Sequence, residues 1–238
     1  MLERLDYVKI APRRILDAGS GPWRDARVLQ KRYAGAAVLA LDFSLGMLRA
    51  GRRPLDFLAR RPQLVCGDLG ALPLAEGSVD LVWSNLALQW AGDPPAVLRE
   101  FRRVLAPGGL VMFSSLGPDT LRELRAAAGA RRVHAFVDMH DLGDMLVAAG
   151  FNAPVMDMEM LTLAYAQGEG LLDDLRASGQ VSARADRPRG LAGKSLRAGL
   201  RAALPREASF EVVYGHGWKP APDAARDAKT IRIFKRMP

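Results

Sequence analysis

Five short apolar runs, at residues 14–17, 37–42, 63–66, 79–84 and 109–115, recur through the first half of the chain. Amphipathic stretches at 25–33, 45–53 and 95–105 lie between them. A strand that is apolar along its whole length needs cover on both faces, and intervening helices supply it. The alternation therefore predicts an α/β fold built on a doubly wound, mostly parallel sheet. Pro107-Gly108-Gly109 reads as a sharp turn feeding the fifth strand. Beyond Ser115 the rhythm changes. GPDTLRELRAAAGA predicts a helix with Asp119 or Thr120 at its N-cap, and VDMHDLGDMLVAAGF a second helix stopped by Gly150. Strand candidates follow at 155–162 and 210–218, with an Arg-rich helical insertion over roughly 168–204 between them. A last run, KTIRIFKR, reads as an edge strand or a tail. The expectation is one domain over 1–238 with the insertion as a cap.

With 238 residues, 49% of them hydrophobic and 25% charged, the chain has enough apolar material for such a core. No run of 18 residues is free of charge, which excludes a membrane span. Glu3 and Asp6 interrupt the N-terminal apolar residues, so no signal-peptide core forms there. The single cysteine, Cys66, excludes an internal disulfide framework and points to a reducing, cytoplasmic setting. His134 and His140 lack a third ligand at useful spacing, so no metal site is expected. The net charge of +8 favours polyanionic partners. No aromatic-interleaved basic run appears, which argues against nucleic acid.

The chemistry begins at ILDAGSGPWRDA, where an apolar run ends in Asp17 and is followed by Gly19 and Gly21. Glycines at a strand end let the backbone turn tightly and approach a ligand closely. Arg24 occupies the place of the third glycine of a dinucleotide fingerprint, which argues against a nicotinamide or flavin loop. Asp42 closes the second strand, where a carboxylate can accept from both hydroxyls of a ribose. Asp68 closes the third, placed to meet an adenine amino group, and Asn85 the fourth. Any one of these could be a helix cap, but four in register mark the carboxyl edge where such sheets bind ligands. Trp83 reads as core and Trp90 as pocket wall.

ILDAGSG, LALDFS, VCGDLGALPLAEGSVDLVWSNLALQW and LREFRRVLAPGGLVMFSSLG together resemble the class I S-adenosylmethionine-dependent methyltransferases over roughly residues 12–117. That resemblance implies seven strands with an antiparallel last one. It implies that S-adenosylmethionine binds (S-adenosylhomocysteine being the product). Asp17, Gly19 and Gly21 would lie at its methionine part, Asp42 at the ribose, Asp68 and Leu69 at the adenine and Asn85 near the methyl, with Phe43 a further cofactor-binding residue. SNLALQW, LGPDTLREL, HAFVDMHDLGDML and VVYGHGWKP narrow the resemblance to the malonyl-acyl-carrier-protein O-methyltransferases of biotin synthesis. The implied substrate is a malonyl thioester on an acidic acyl carrier protein. A malonyl carboxylate is already ionised at neutral pH, so the reaction needs a cationic clamp rather than a general base. Arg122, Arg125, His134 and Arg197 are the candidates, and the Arg-rich insertion suits an acidic carrier.

Two departures leave alternatives open. The family loop carries a third glycine where this chain has Trp23, whose indole either crowds the cofactor or turns into the helix packing. The first strand begins near residue 14, and Tyr7 is not equated with the tyrosine of the N-terminal lid that relatives carry. A weakened, binding or regulatory methyltransferase-fold protein, or an arginine hydroxylase like the related complex I assembly factors, are the competing expectations.

Overall fold

The computed structural model describes residues 1–52, 61–179 and 203–221. Seven strands form one sheet in the order β3-β2-β1-β4-β5-β7-β6. They are β1 (Arg14–Ala18), β2 (Ala37–Asp42), β3 (Gln63–Cys66), β4 (Val79–Asn85), β5 (Leu105–Leu116), β6 (Asn152–Ala164) and β7 (Glu207–Trp218). The helices are α1 (Arg24–Arg32), α2 (Leu45–Ala50), α3 (Pro94–Val104), α4 (Arg122–Ala128), α5 (Met139–Ala148) and α6 (Gly168–Ala177). Strands β1, β2, β3 and β4 pair in parallel, with Asp17 level with Ala40 and Trp83, and Asp42 level with Cys66. The run from Ile15 to Ala18 is buried throughout, the carboxyl of Asp17 included. Strand β7 runs antiparallel to β5. Gly108 N–H donates to the Lys219 carbonyl at one end and Gly117 N–H to the Glu211 carbonyl at the other, so the numbering falls as β5's rises.

The chain divides into two compact units. One comprises Met1–Phe113, Gly143–Val155 and Gly215–Pro238; the other Ser114–Leu142 and Met156–Tyr214. The first holds a core of Ile15, Trp23, Leu29, Val38, Leu48, Leu81 and Trp83. Its short helices start on side-chain caps: Met47 N–H donates to Ser44 Oγ at α2, and Ala96 N–H to Asp93 Oδ1 at α3. Gly150, at φ 86°, stops α5 as expected. Its N–H donates to the Val147 carbonyl and the Phe151 N–H to that of Leu146, the double bond of a Schellman stop. The second unit packs Leu121, Leu124, Val133, Leu171, Leu175 and Ala208 together.

Several boundaries depart from the sequence expectation. Strand β5 starts at Leu105, ahead of the Pro-Gly-Gly turn, because the Gly108 N–H and Gly109 carbonyl both pair with Lys219. Helix α4 starts at Arg122 without a side-chain cap, because Leu121 takes the N-cap place and the Thr120 hydroxyl is engaged elsewhere. Thr120 Oγ1 accepts from Glu211 N–H and donates to the Glu211 carbonyl, and Asp119 N–H donates to Glu211 Oε2. Strand β6 runs three residues earlier and two later than 155–162. Most of the Arg-rich insertion and KTIRIFKR lie outside the described residues. No helix among the described residues is long and apolar enough to cross a membrane.

Candidate functional site

The loop leaving β1 is tied to the end of β2 by three backbone donors. Gly19 and Ser20 N–H groups donate to the Leu41 carbonyl at 2.8 and 2.9 Å, and Gly21 N–H to Asp42 Oδ2 at 2.7 Å. The other oxygen of Asp42 accepts from Ser44 N–H at 2.8 Å. One carboxylate thereby anchors both the glycine loop and the start of α2. Gly19 and Gly21 have φ of 78° and 51°, and a methyl group on Gly19 would collide with that of Ala87.

Trp23 occupies the third glycine's place at φ 46°, ψ 40°, the left-handed conformation that glycine tolerates best. Its indole does not crowd the loop. It is 1% exposed, its Nε1–H donates to the Leu48 carbonyl at 2.8 Å, and the Arg27 guanidinium lies 4.0 Å above the ring. Gly51 gives it room, since any side chain there would strike the indole. Packing against α2 decides between the two orientations that the sequence left open.

Beneath the loop three carboxyl groups converge. Asp17 is 1% exposed, and its Oδ2 has no hydrogen-bond partner. Burial pushes this carboxyl well above the ordinary range, and the neighbouring Asp25 and Asp42 push it further against the Ala26 N–H. Asp25, in the first turn of α1, accepts from Trp83 Nε1 (3.0 Å) and Asn85 Nδ2 (2.9 Å) on a single oxygen. Sequence inspection did not single out Asp25; its place one turn after the glycine loop was the available signal. An acid-lined floor with one unsatisfied buried acceptor fits a cationic ligand with donors to offer, as the cofactor expectation requires.

An open cleft of about 410 Å³ adjoins the loop, lined among others by Phe43, Asp68, Leu69, Ala87 and Trp90. It gathers three of the expected cofactor residues, and Trp90 forms wall as anticipated while Trp83 is fully buried. Phe43 is 80% exposed, an apolar face available to a flat ring. Asp68 Oδ1 accepts from Gly70 N–H at 2.7 Å. Asn85 turns its amide toward Asp25 and does not line this cleft.

The clamp candidates Arg122, Arg125 and His134 belong to the second unit, and Arg197 lies outside the described residues. Arg122 is exposed and reaches Glu123 Oε1 at 3.1 Å. Arg125 donates to the carbonyls of Pro118 (2.8 Å) and Thr120 (3.2 Å), which occupy two of the five N–H donors of its guanidinium. His134 meets Phe136 edge to face at 5.2 Å. Glu123 fastens α4 to β7 by accepting from Ser209 N–H at 2.9 Å and Ser209 Oγ at 2.6 Å. Partial burial alone would raise its carboxyl, but the Ser209 and Arg122 donors hold it down to about 2.

Comparison with known proteins gives this geometry a lineage. Residues 16–113, which carry the glycine loop and the cleft, match the methyltransferase domain family model. The chain is 49% identical to the malonyl-[acyl-carrier protein] O-methyltransferase of Gallionella capsiferriformans, over 97% of this chain and 85% of that protein. It is 50% identical to the protein of the same name from Laribacter hongkongensis, over 93% and 80%. The YcgJ protein of Bacillus subtilis shares the fold at a TM-score of 0.66 and 16% identity, covering 92% of this chain and 97% of its own. Haemonchus contortus phosphoethanolamine N-methyltransferase 2, solved with S-adenosyl-L-methionine, does so at 0.58 and 19%, covering 92% and 51%. Identity at this level, sustained through both units, makes the chain a member of the malonyl-[acyl-carrier protein] O-methyltransferase family.

Proposed function

We propose that this protein transfers a methyl group from S-adenosylmethionine to the free carboxylate of a malonyl thioester carried on acyl carrier protein, making a biotin precursor. The observation that carries this reading is near-half identity to malonyl-[acyl-carrier protein] O-methyltransferases along almost the whole chain. Bound S-adenosylmethionine supplies an electrophilic methyl group on a sulfonium. The protein's own work is to orient two reactants and keep water away, which contributes about 7–11 kcal/mol where alignment is good. Asp42 keeps a second lone pair on each oxygen for ribose hydroxyls, beyond the two backbone bonds it accepts. Asp68 and Leu69 frame the adenine and Phe43 covers it, while Asp17, Gly19 and Gly21 receive the methionine end and Asn85 lies toward the methyl. Arg122, Arg125, His134 and Arg197 are the clamp for the malonyl carboxylate, and the net charge of +8 favours docking of an acidic carrier. One exposed thiol, Cys66, suits the cytoplasm.

Incubating the protein with S-adenosylmethionine and malonyl-acyl carrier protein should add one methyl group to the malonyl carboxylate, read by mass spectrometry. An unmodified carrier under conditions where the protein binds S-adenosylmethionine would refute the substrate assignment. The inward packing of Trp23 favours a working cofactor loop over a degraded one.

A further inference from the structure

Asp17 accepts a backbone hydrogen bond from the Ala26 N–H, which leaves half of the carboxyl unused. Its Oδ2 is buried, accepts nothing, and faces two acidic neighbours. Those neighbours are committed: Asp25 holds the side chains of Trp83 and Asn85, and Asp42 holds the backbone of Gly21 and Ser44. Both charged groups acting on it, Asp25 from α1 and Asp42 from β2, are acidic, and the β4 side chains that share Asp25 are neutral. A carboxyl so placed keeps its proton while the site is empty, because ionisation would leave a buried charge among like charges. A ligand that brings positive charge reverses that balance.

We propose that Asp17 couples cofactor binding to proton release: the carboxyl surrenders its proton to solvent when the positive end of S-adenosylmethionine arrives, and becomes the countercharge. The inference rests on the cofactor reading above and deepens it. It carries a direction. Affinity rises with pH, close to tenfold per unit, while Asp17 in the empty protein is protonated, and levels off once it is not. The cation responsible is either the amino group, which donor and product share, or the sulfonium, which S-adenosylhomocysteine lacks.

Calorimetric titration in buffers of high and low ionisation heat, across about pH 5 to 8, reads the proton directly. The expected result is a buffer-dependent enthalpy corresponding to as much as one proton released with S-adenosylmethionine. Equal release with S-adenosylhomocysteine assigns the effect to the amino group, and smaller release to the sulfonium. Asp17→Asn should bind with no buffer dependence. Asp25→Asn removes one repelling charge while keeping an acceptor for Trp83, so it should lower the release at a given pH even if the Asp17 variant does not fold. Binding whose enthalpy is the same in every buffer overturns the proposal and spares the cofactor reading. Complete absence of binding overturns both.

Discussion

Trp23→Gly puts a third glycine into the loop, and here it should harm the protein. Emptying a core site of an indole costs about 3–5 kcal/mol, and stranding the Leu48 carbonyl that Nε1 serves adds about 1 kcal/mol. Relief of the left-handed backbone at φ 46° returns about 1–2 kcal/mol. The balance is a loss of about 2–5 kcal/mol, which in a chain of this size lowers Tm by about 4–10 °C. Urea unfolding followed by circular dichroism measures the loss. Calorimetry on the folded variant should find S-adenosylmethionine affinity within about twofold of the parent, because the indole faces α2. A variant as stable as the parent that binds the cofactor more tightly would show that Trp23 obstructs the loop, and would refute the packing argument.

Asp42→Ala removes the acceptor for both Gly21 and Ser44, so S-adenosylmethionine affinity should fall by about 100-fold or more, beyond the worth of one charge-assisted hydrogen bond; affinity within tenfold of the parent would contradict it. Gly19→Ala should fold with a displaced loop, losing cofactor binding together with some thermal stability, because its methyl group meets Ala87 at a positive φ. Glu123 contributes pH-dependent stability. Its carboxyl titrates near 2 in the folded protein against 4.5 ordinarily, so its contribution is complete above about pH 4.5 and disappears as the pH falls toward 2. Glu123→Gln should flatten that part of the stability profile in acid-unfolding experiments, and an unchanged profile would assign the acid sensitivity elsewhere.

What the sequence revealed and what it hid follow from the range of the interactions involved. Strand positions were legible because burial on both faces leaves an unbroken apolar run, as from Leu110 to Phe113. The place of Asp42 at the end of β2 was legible, but not the backbone donors it accepts from Gly21 and Ser44. The start of α4 was not, since Asp119 and Thr120 are engaged by Glu211, some ninety residues away in the chain. Neither was the direction of Trp23, which depends on space left by Gly51 and a carbonyl offered by Leu48. The bonds from Arg125 to the carbonyls of Pro118 and Thr120, which fix where its guanidinium sits, were likewise hidden until the fold was known.

The double engagement of Asp42 bears on how fast the cofactor is captured. With Gly21 and Ser44 already fastened to one carboxylate, the loop has surrendered its conformational freedom during folding. Arrival of the cofactor therefore orders little backbone, and association should proceed in one kinetic phase without a slow rearrangement. The amide hydrogens of Gly21 and Ser44 should accordingly be protected from exchange with solvent before any cofactor is added.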